Sequence, residues 1–164
     1  MYIAIILITI FCTWKYGDWR NWAKYQSTML FFSFGNMLYN FVYHDHSLWK
    51  FKPDIFNHHI IEIIFSFTVL PLTALIFLSA FPSDRKRQLL LIFKYILIYF
   101  AVEFLLFKFG RIEYNYGWNI WWSLAWDCLM FPTLVIHHKK PLLAYAGSVL
   151  VIFLMNWRFP FKLD

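Results

Sequence analysis

Hydrophobic residues run through this chain in long blocks separated by short polar ones. Six blocks stand out: Tyr2–Trp14, Ser27–Tyr43, Ile60–Phe81, Leu89–Phe109, Trp118–Ile136 and Leu142–Trp157. A helix that crosses a bilayer needs about 20 predominantly apolar residues. The pattern predicts an all-α fold: a polytopic membrane helix bundle of six transmembrane helices with short loops, forming one integral membrane domain over residues 1–164. The first block is short. It must extend into Tyr16, thin the bilayer or pack inside the bundle.

The boundaries carry helix signals. Ser83 and Asp84 can cap free N–H groups at the start of the fourth helix. Pro141 suits a first helical position, where no N–H partner is needed. Pro71 and Pro132 fall inside blocks three and five, where membrane helices tolerate kinks. Loops three and five are short, so helices three and four, and five and six, are expected to be neighbours.

Composition strengthens this reading. The chain is 61% hydrophobic and 24% aromatic, with 15% charged residues, against about 25% charged in an ordinary soluble domain. A soluble chain this short has too little interior for so many large apolar side chains. Cys12 and Cys128 lie within apolar blocks and form no metal-type or redox spacing, so both read as small buried hydrophobes.

Charge sets the orientation. Loops one, three and five hold Lys15, Arg20, Lys24, Arg85, Lys86, Arg87, Lys139 and Lys140, against only Asp18 and Asp84. The other side holds Lys50, Lys52, Lys108, Arg111, Arg158 and Lys162, with Asp45, Asp54, Glu113 and Asp164. The richer side is expected in the cytoplasm. Six spans then leave both termini extracytoplasmic in a multi-pass protein of the cell membrane. The net charge of +6 is spread through these loop clusters, which argues against nucleic acid. The apolar run begins directly after Met1, without the basic n-region of a secretory signal, so the first helix is expected to be retained. Trp14, Trp19 and Trp22 at one side, and Trp49, Trp118, Trp121 and Trp157 at the other, read as headgroup anchors.

Within the blocks, polar residues recur at steps of three, four or seven, which keeps each set on one helix face. Block two carries Ser33, Asn36 and Asn40. Block three and its approach carry His58, Glu62, Ser66 and Thr73. Block four carries Tyr95, Tyr99 and Glu103, and block five carries Asn119, Ser123 and Asp127. Asn40, Glu62, Glu103 and Asn119 fall in the outer half, and Asn36 and Asp127 near the middle. A charge at mid-bilayer costs at least about 2.5–3.5 kcal/mol, so such residues face the bundle interior. The stripes predict a polar interior site built by helices two to five, with one and six peripheral. Glu62, Glu103 and Asp127 would hold a cation or proton, and Asn36, Asn40, Asn119 and Tyr99 would line the site. The alternative is packing alone, because interhelical hydrogen bonds also hold membrane helices together.

The histidines add one further candidate. His58 stands one helical turn before Glu62, a spacing that some metal ligands use. No H-E-x-x-H or cysteine pattern supports it, and His44, His46 and His59 read as solvated or interfacial. His137 and His138 read as inner-side groups meeting lipid phosphates or helix-end carbonyls. No phosphate-binding glycine loop or nucleophile elbow is present, and the sequence specifies no cofactor.

The stretch from Trp14 to Trp22, the run Gly35-Asn36-Met37-Leu38-Tyr39-Asn40, Gly117-Trp118-Asn119 with Trp121-Trp122-Ser123, and Met130-Phe131-Pro132 before His137-His138-Lys139 resemble a family of small uncharacterised multi-pass membrane proteins of spore-forming Gram-positive bacteria. The resemblance implies a bacterial cytoplasmic membrane and carries over no catalytic residues. In that family an acidic residue often stands where this chain has Asn36, which leaves one carboxylate fewer here.

Three functional readings follow. The chain handles an ion or small ligand through the acids, as a homo-oligomer given its size. Or it is a non-catalytic component that packs with a partner membrane protein. Or it is a metal-dependent membrane enzyme using His58, Glu62, Glu103 and Asp127, the last-ranked of the three.

Overall fold

In the computed structural model, which describes residues 1–52 and 57–160, the chain is mostly helical. Six helices follow in order: α1 (Tyr2–Tyr16), α2 (Trp22–Val42), α3 (His58–Ser79), α4 (Arg85–Lys108), α5 (Ile120–Lys139) and α6 (Pro141–Arg158). Three of them, α3, α4 and α6, are long and apolar enough to cross a membrane. The other three fall short for identifiable reasons. Helix α1 has 15 residues, about 22 Å of rise. Helices α2 and α5 have 21 and 20 residues but carry the polar stripes. Asp54, Lys162 and Asp164, counted above among the outer charges, lie outside the described residues.

Local signals act where the sequence places them. Asp84 caps α4, its carboxylate accepting from the Arg87 N–H at 3.0 Å. Pro141 occupies the first turn of α6, and only Lys140 separates α5 from α6. Helix α3 widens into a π-helical segment at Phe65–Val69, where the Leu70 N–H reaches back to the Phe65 carbonyl. Pro71 follows directly. Its ring and missing N–H disrupt the ordinary ladder at that turn, and a π segment is one way to absorb the mismatch.

The helices run alternately up and down. Loops one, three and five share one end: the Asp18 N–H bonds the Ser79 hydroxyl at 3.1 Å, Lys139 lies over the Phe81 ring, and Tyr25 stacks on His138. The start of α1 and the end of α6 lie at the opposite end. There the Tyr2 hydroxyl donates to the Arg111 carbonyl, and Tyr43 donates to the Phe159 carbonyl at 3.2 Å. Helix α3 is central, packing on α1 and α2, while α5 packs on α2, α4 and α6. Helices α3 and α4 meet through Phe77 against Tyr95 and through the hydrogen bond from Tyr99 to Thr73.

A core of Tyr25, Phe32, Leu75, Phe77, Ile96, Phe131 and Leu134 fills the bundle toward the basic-loop end. Phe131 is its hub, touching Phe77, Tyr95 and Tyr99 at ring separations of 5.3, 5.6 and 5.1 Å. Edge-on aromatic contacts of this kind add to simple burial.

The purely helical expectation misses one element. Trp49–Phe51 (β1) and Ile112–Tyr114 (β2) pair antiparallel, with Trp49 opposite Tyr114, Lys50 opposite Glu113 and Phe51 opposite Ile112. The apolar residues face the bundle, joining Tyr2, Phe65 and Leu106 in a second core. The charged pair faces away, with Glu113 held by Lys52 at 3.2 Å and Lys50 at 3.6 Å. Two outer loops distant in sequence are thereby joined.

Several other placements differ from expectation. Trp118 is buried and Trp49 half-buried, so they act as packing residues, whereas Trp14, Trp121 and Trp157 are exposed on the bundle surface. Cys128 is exposed on the outside of α5. His137 is buried, bonded to the Thr28 hydroxyl at 3.0 Å and stacked on Phe31. Its ring sits one turn inside the end of α5, where α2 covers it.

The hydrogen bond from Lys52, together with the Lys50 charge, holds the Glu113 carboxyl below its usual range. A depressed folded value contributes stability that is present above the unfolded value and lost as pH falls through the folded one. Exposed pairs contribute only about 0–1 kcal/mol. Glu113→Gln should therefore lower the melting temperature slightly at pH 7, and the gap from the parent protein should close below about pH 4. Parallel melts at the two pH values check this; a gap that persists in acid counts against the pairing.

Candidate functional site

Two polar groups form inside the bundle, and different helix pairs build them. The first joins α2 to α3. Asn36 donates to the Ser66 hydroxyl at 2.8 Å, and Ser66 donates to the Glu62 carbonyl at 2.7 Å. Asn40 donates to the Asn36 carbonyl at 3.0 Å and to the Glu62 carboxylate at 3.4 Å. Glu62 is 4% exposed. The one-turn spacing of Asn36 and Asn40 keeps both on the α2 face that meets α3. Ser66 lies inside the π segment, so the widened turn is also where α3 receives Asn36.

The second group joins α4 to α5 beneath the small sheet. Tyr114, carried by β2, donates its hydroxyl to Glu103 at 2.7 Å. Trp118 Nε1 donates to the Ser123 hydroxyl at 2.9 Å, and Ser123 in turn faces Glu103. Asp127 lies one turn beyond Ser123 on α5, within electrostatic reach of Glu103. Asp127 is 4% exposed, and its Oδ2 has no hydrogen-bond partner in the protein. Orphaned buried oxygens are rare in folded proteins, and each one calls for an explanation. Among the described residues, the ion pairs within 4 Å are His44–Asp45, Lys50–Glu113 and Lys52–Glu113. None of these described ion pairs includes Glu62, Glu103 or Asp127.

A cavity of about 1790 Å³ runs between the helices. Asn36, Tyr99, Glu103, Ser123 and Asp127 line it, together with Thr73, which accepts from Tyr99 at 2.9 Å. The Phe131 cluster lies toward its basic-loop end, while Trp49, Phe51 and Ile112 of the sheet close over the other end. Most of the remaining wall is Leu, Ile, Val, Phe and Met.

Of the residues singled out in the sequence, Asn36, Tyr99, Glu103 and Asp127 therefore share one space. Glu62 and Asn40 do not line it; they sit behind Asn36 in the α2–α3 network. Asn119 is elsewhere. It is exposed and caps α5, its side-chain oxygen accepting from the Trp121 and Trp122 N–H groups at 3.0 and 3.3 Å. Its place in the stripe comes from lying four residues before Ser123, but that position is already the helix start. His58 stacks against His59, with ring centroids 3.8 Å apart. Among the described residues, no group of three or more His, Cys, Asp and Glu is placed to hold a metal ion. The four-residue set proposed for a metal enzyme is split between two places.

Tyr114 was missed because it read as loop, and Trp118, at the start of the fifth block, because it read as a headgroup anchor. A signal was present. Trp49-Lys50-Phe51 and Ile112-Glu113-Tyr114 each alternate apolar, charged, apolar, the period of a strand with one covered face.

Fold and site together define a class: a helical bundle with three membrane-length apolar helices and an acid-bearing cavity that opens on the bundle surface. The chain matches no family model, no curated protein and no solved structure.

The α2–α3 network is internally satisfied, so its role is read from stability. Membrane interhelical hydrogen bonds average about 0.6 kcal/mol, with a maximum of about 1.7. Replacing Asn36 by Leu should cost about that range in reversible denaturation in mixed micelles. A neutral result would mean that the bond to Ser66 contributes nothing.

Proposed function

We propose that the protein is a six-span membrane protein that handles a cation or small cationic ligand through Glu103 and Asp127. The observation that carries the reading is Asp127, an acid in the cavity lining with a buried oxygen that no protein group satisfies, within electrostatic reach of a second carboxylate, Glu103. Packing requires pairs that satisfy each other, as the Asn36, Asn40, Ser66 and Glu62 groups do. An acid with a buried oxygen that no protein group satisfies is better explained by a ligand or proton that it receives.

Where the polar residues of α2 and α5 point supports the reading of six spans. Ser33 and Asn36 on α2, and Ser123 and Asp127 on α5, turn inward, so the outer faces stay compatible with lipid. Phe34, Leu38, Phe41, Trp121 and Leu129 are exposed there. The eight basic residues at one end support a cytoplasmic location for loops one, three and five, with both termini outside. The resemblance to small membrane proteins of spore-forming Gram-positive bacteria supports a bacterial cell membrane. Single cysteines placed at Ser83 and at Asn115, in a variant without Cys12 and Cys128, should react from opposite sides of intact cells with an impermeant maleimide. Labelling of both from outside would overturn the topology.

The ligand reading is tested by two variants that keep shape and remove charge. In protein reconstituted into bilayers, Glu103→Gln and Asp127→Asn should retain the parent's helix content and oligomeric state. Each should lose at least tenfold in saturable binding or flux of protons, sodium, potassium, calcium or simple amines, whichever the parent protein supports. A cation response that survives unchanged in both variants overturns the reading.

A second reading is that the chain is a non-catalytic component packed against a partner membrane protein. Helix α6 favours it: only Ala144 of its 18 residues is buried, and Leu142, Leu150, Phe153 and Trp157 are strongly exposed.

A further inference from the structure

Resting on the cation reading above, we infer that the Glu103–Asp127 site takes an organic ammonium ion carrying an apolar body, and not an inorganic cation. Three observations converge on that chemistry.

The first is the ligand set. A bound calcium ion takes six to eight oxygen ligands, and transition metals take three or four nitrogen, sulfur or carboxylate groups from the protein. Here two carboxylates converge, and no third acid, His or Cys completes a metal cluster among the described residues. Both Glu103 hydrogen-bonding neighbours, Tyr114 and Ser123, are drawn toward the carboxylate as donors. An alkylammonium makes smaller demands. It needs one or two carboxylates and no complete shell of oxygens.

The second is the wall. Tyr39, Trp49, Tyr99, Trp118 and Trp126 line the same cavity as the two acids. Aromatic faces attract ammonium groups, and the attraction strengthens when water is excluded. Aromatic walls of this sort add little to a site for a small hydrated ion.

The third is size. A cavity of about 1790 Å³ exceeds the roughly 300–1,000 Å³ of a typical small-molecule pocket. A lone metal ion leaves nearly all of it empty. Its apolar stretch extends from the acids along α2, α5 and α6 past Phe31, Leu134, Val149 and Ile152. Phe34, Phe41, Val149 and Ile152 are part of this lining and are also exposed on the bundle surface, so an amphiphile could enter sideways from the lipid. Among the described residues, Lys94 is the one basic group in the lining. It lies nine residues before Glu103 on α4, roughly 13 Å along the axis, far enough to leave the acid end negative. Asp127 lines the cavity with a carboxylate that the protein leaves partly unsatisfied, and that carboxylate is the countercharge the ammonium group meets.

The test uses the full chain in lipid nanodiscs, with octyltrimethylammonium below its micellar concentration as the probe and tryptophan fluorescence as the signal. Saturable binding is expected, weakened at least tenfold in Asp127→Asn and in Glu103→Gln, with circular dichroism confirming that both variants are folded. Tetramethylammonium, which lacks the chain, should bind at least tenfold more weakly, and octyl sulfate should not compete. Equal responses in the parent and both variants would mean mere partition into lipid and would overturn the inference. So would acid-dependent binding of sodium, calcium or protons that octyltrimethylammonium fails to displace, although the cation reading would then survive. Loss of every acid-dependent response removes both.

Discussion

The constraint on which the structure turns is that a carboxylate in hydrocarbon must be hidden or answered. Three acids lie within long apolar helices, each with an insertion cost of at least about 2.5–3.5 kcal/mol at the bilayer centre. The bundle disposes of them differently. Glu62 is enclosed by amide and hydroxyl groups from α2 and from its own helix. Glu103 is met by the Tyr114 hydroxyl and faces Ser123. Asp127 is enclosed by the fold but left with an oxygen that no protein group satisfies. The first is a fastening between helices, and the last belongs to the proposed ligand site.

This difference explains the division of labour among the helices. Helices α2 and α3 pack closely because small and amide side chains interlock across them, with the π segment before Pro71 presenting Ser66 to Asn36. Helices α3 and α4 meet instead through larger side chains, Phe77 against Tyr95 and Tyr99 bonded to Thr73. The cavity touches all of these helices, with Asn36 of α2, Thr73 of α3, Glu103 of α4 and Asp127 of α5 in its lining.

The outer sheet ties the two parts together. It is only three residues on each strand, yet it joins a loop from the α2–α3 hairpin to one from the α4–α5 hairpin. The Tyr39 hydroxyl accepts from the Trp49 N–H at 3.2 Å while the indole stacks on its ring, and Tyr114 reaches down to Glu103. A strand pair that short is marginal alone. Its inward face of Trp49, Phe51, Ile112 and Tyr114 is stabilised by the bundle it covers, and the bundle's mouth is shaped by it.

The sequence by itself determined what depends on neighbours along the chain. Helix positions, the Asp84 cap, the Pro141 start and the inward faces of α2 to α5 were all legible, because helical spacing and capping are local. Tertiary structure alone decided which polar faces meet. Spacing put Asn119 in line with Ser123 and Asp127, but the helix begins there, so its oxygen caps the backbone. Spacing grouped Glu62 with the other acids, but contact between α2 and α3 drew it into a separate network. His137 looked like a membrane-surface residue until α2 covered it with Thr28 and Phe31. Tyr114 reaches Glu103 only because two loops about 60 residues apart pair as strands. Such partnerships depend on crossing angles and on contacts between distant segments, and helical periodicity carries no information about either.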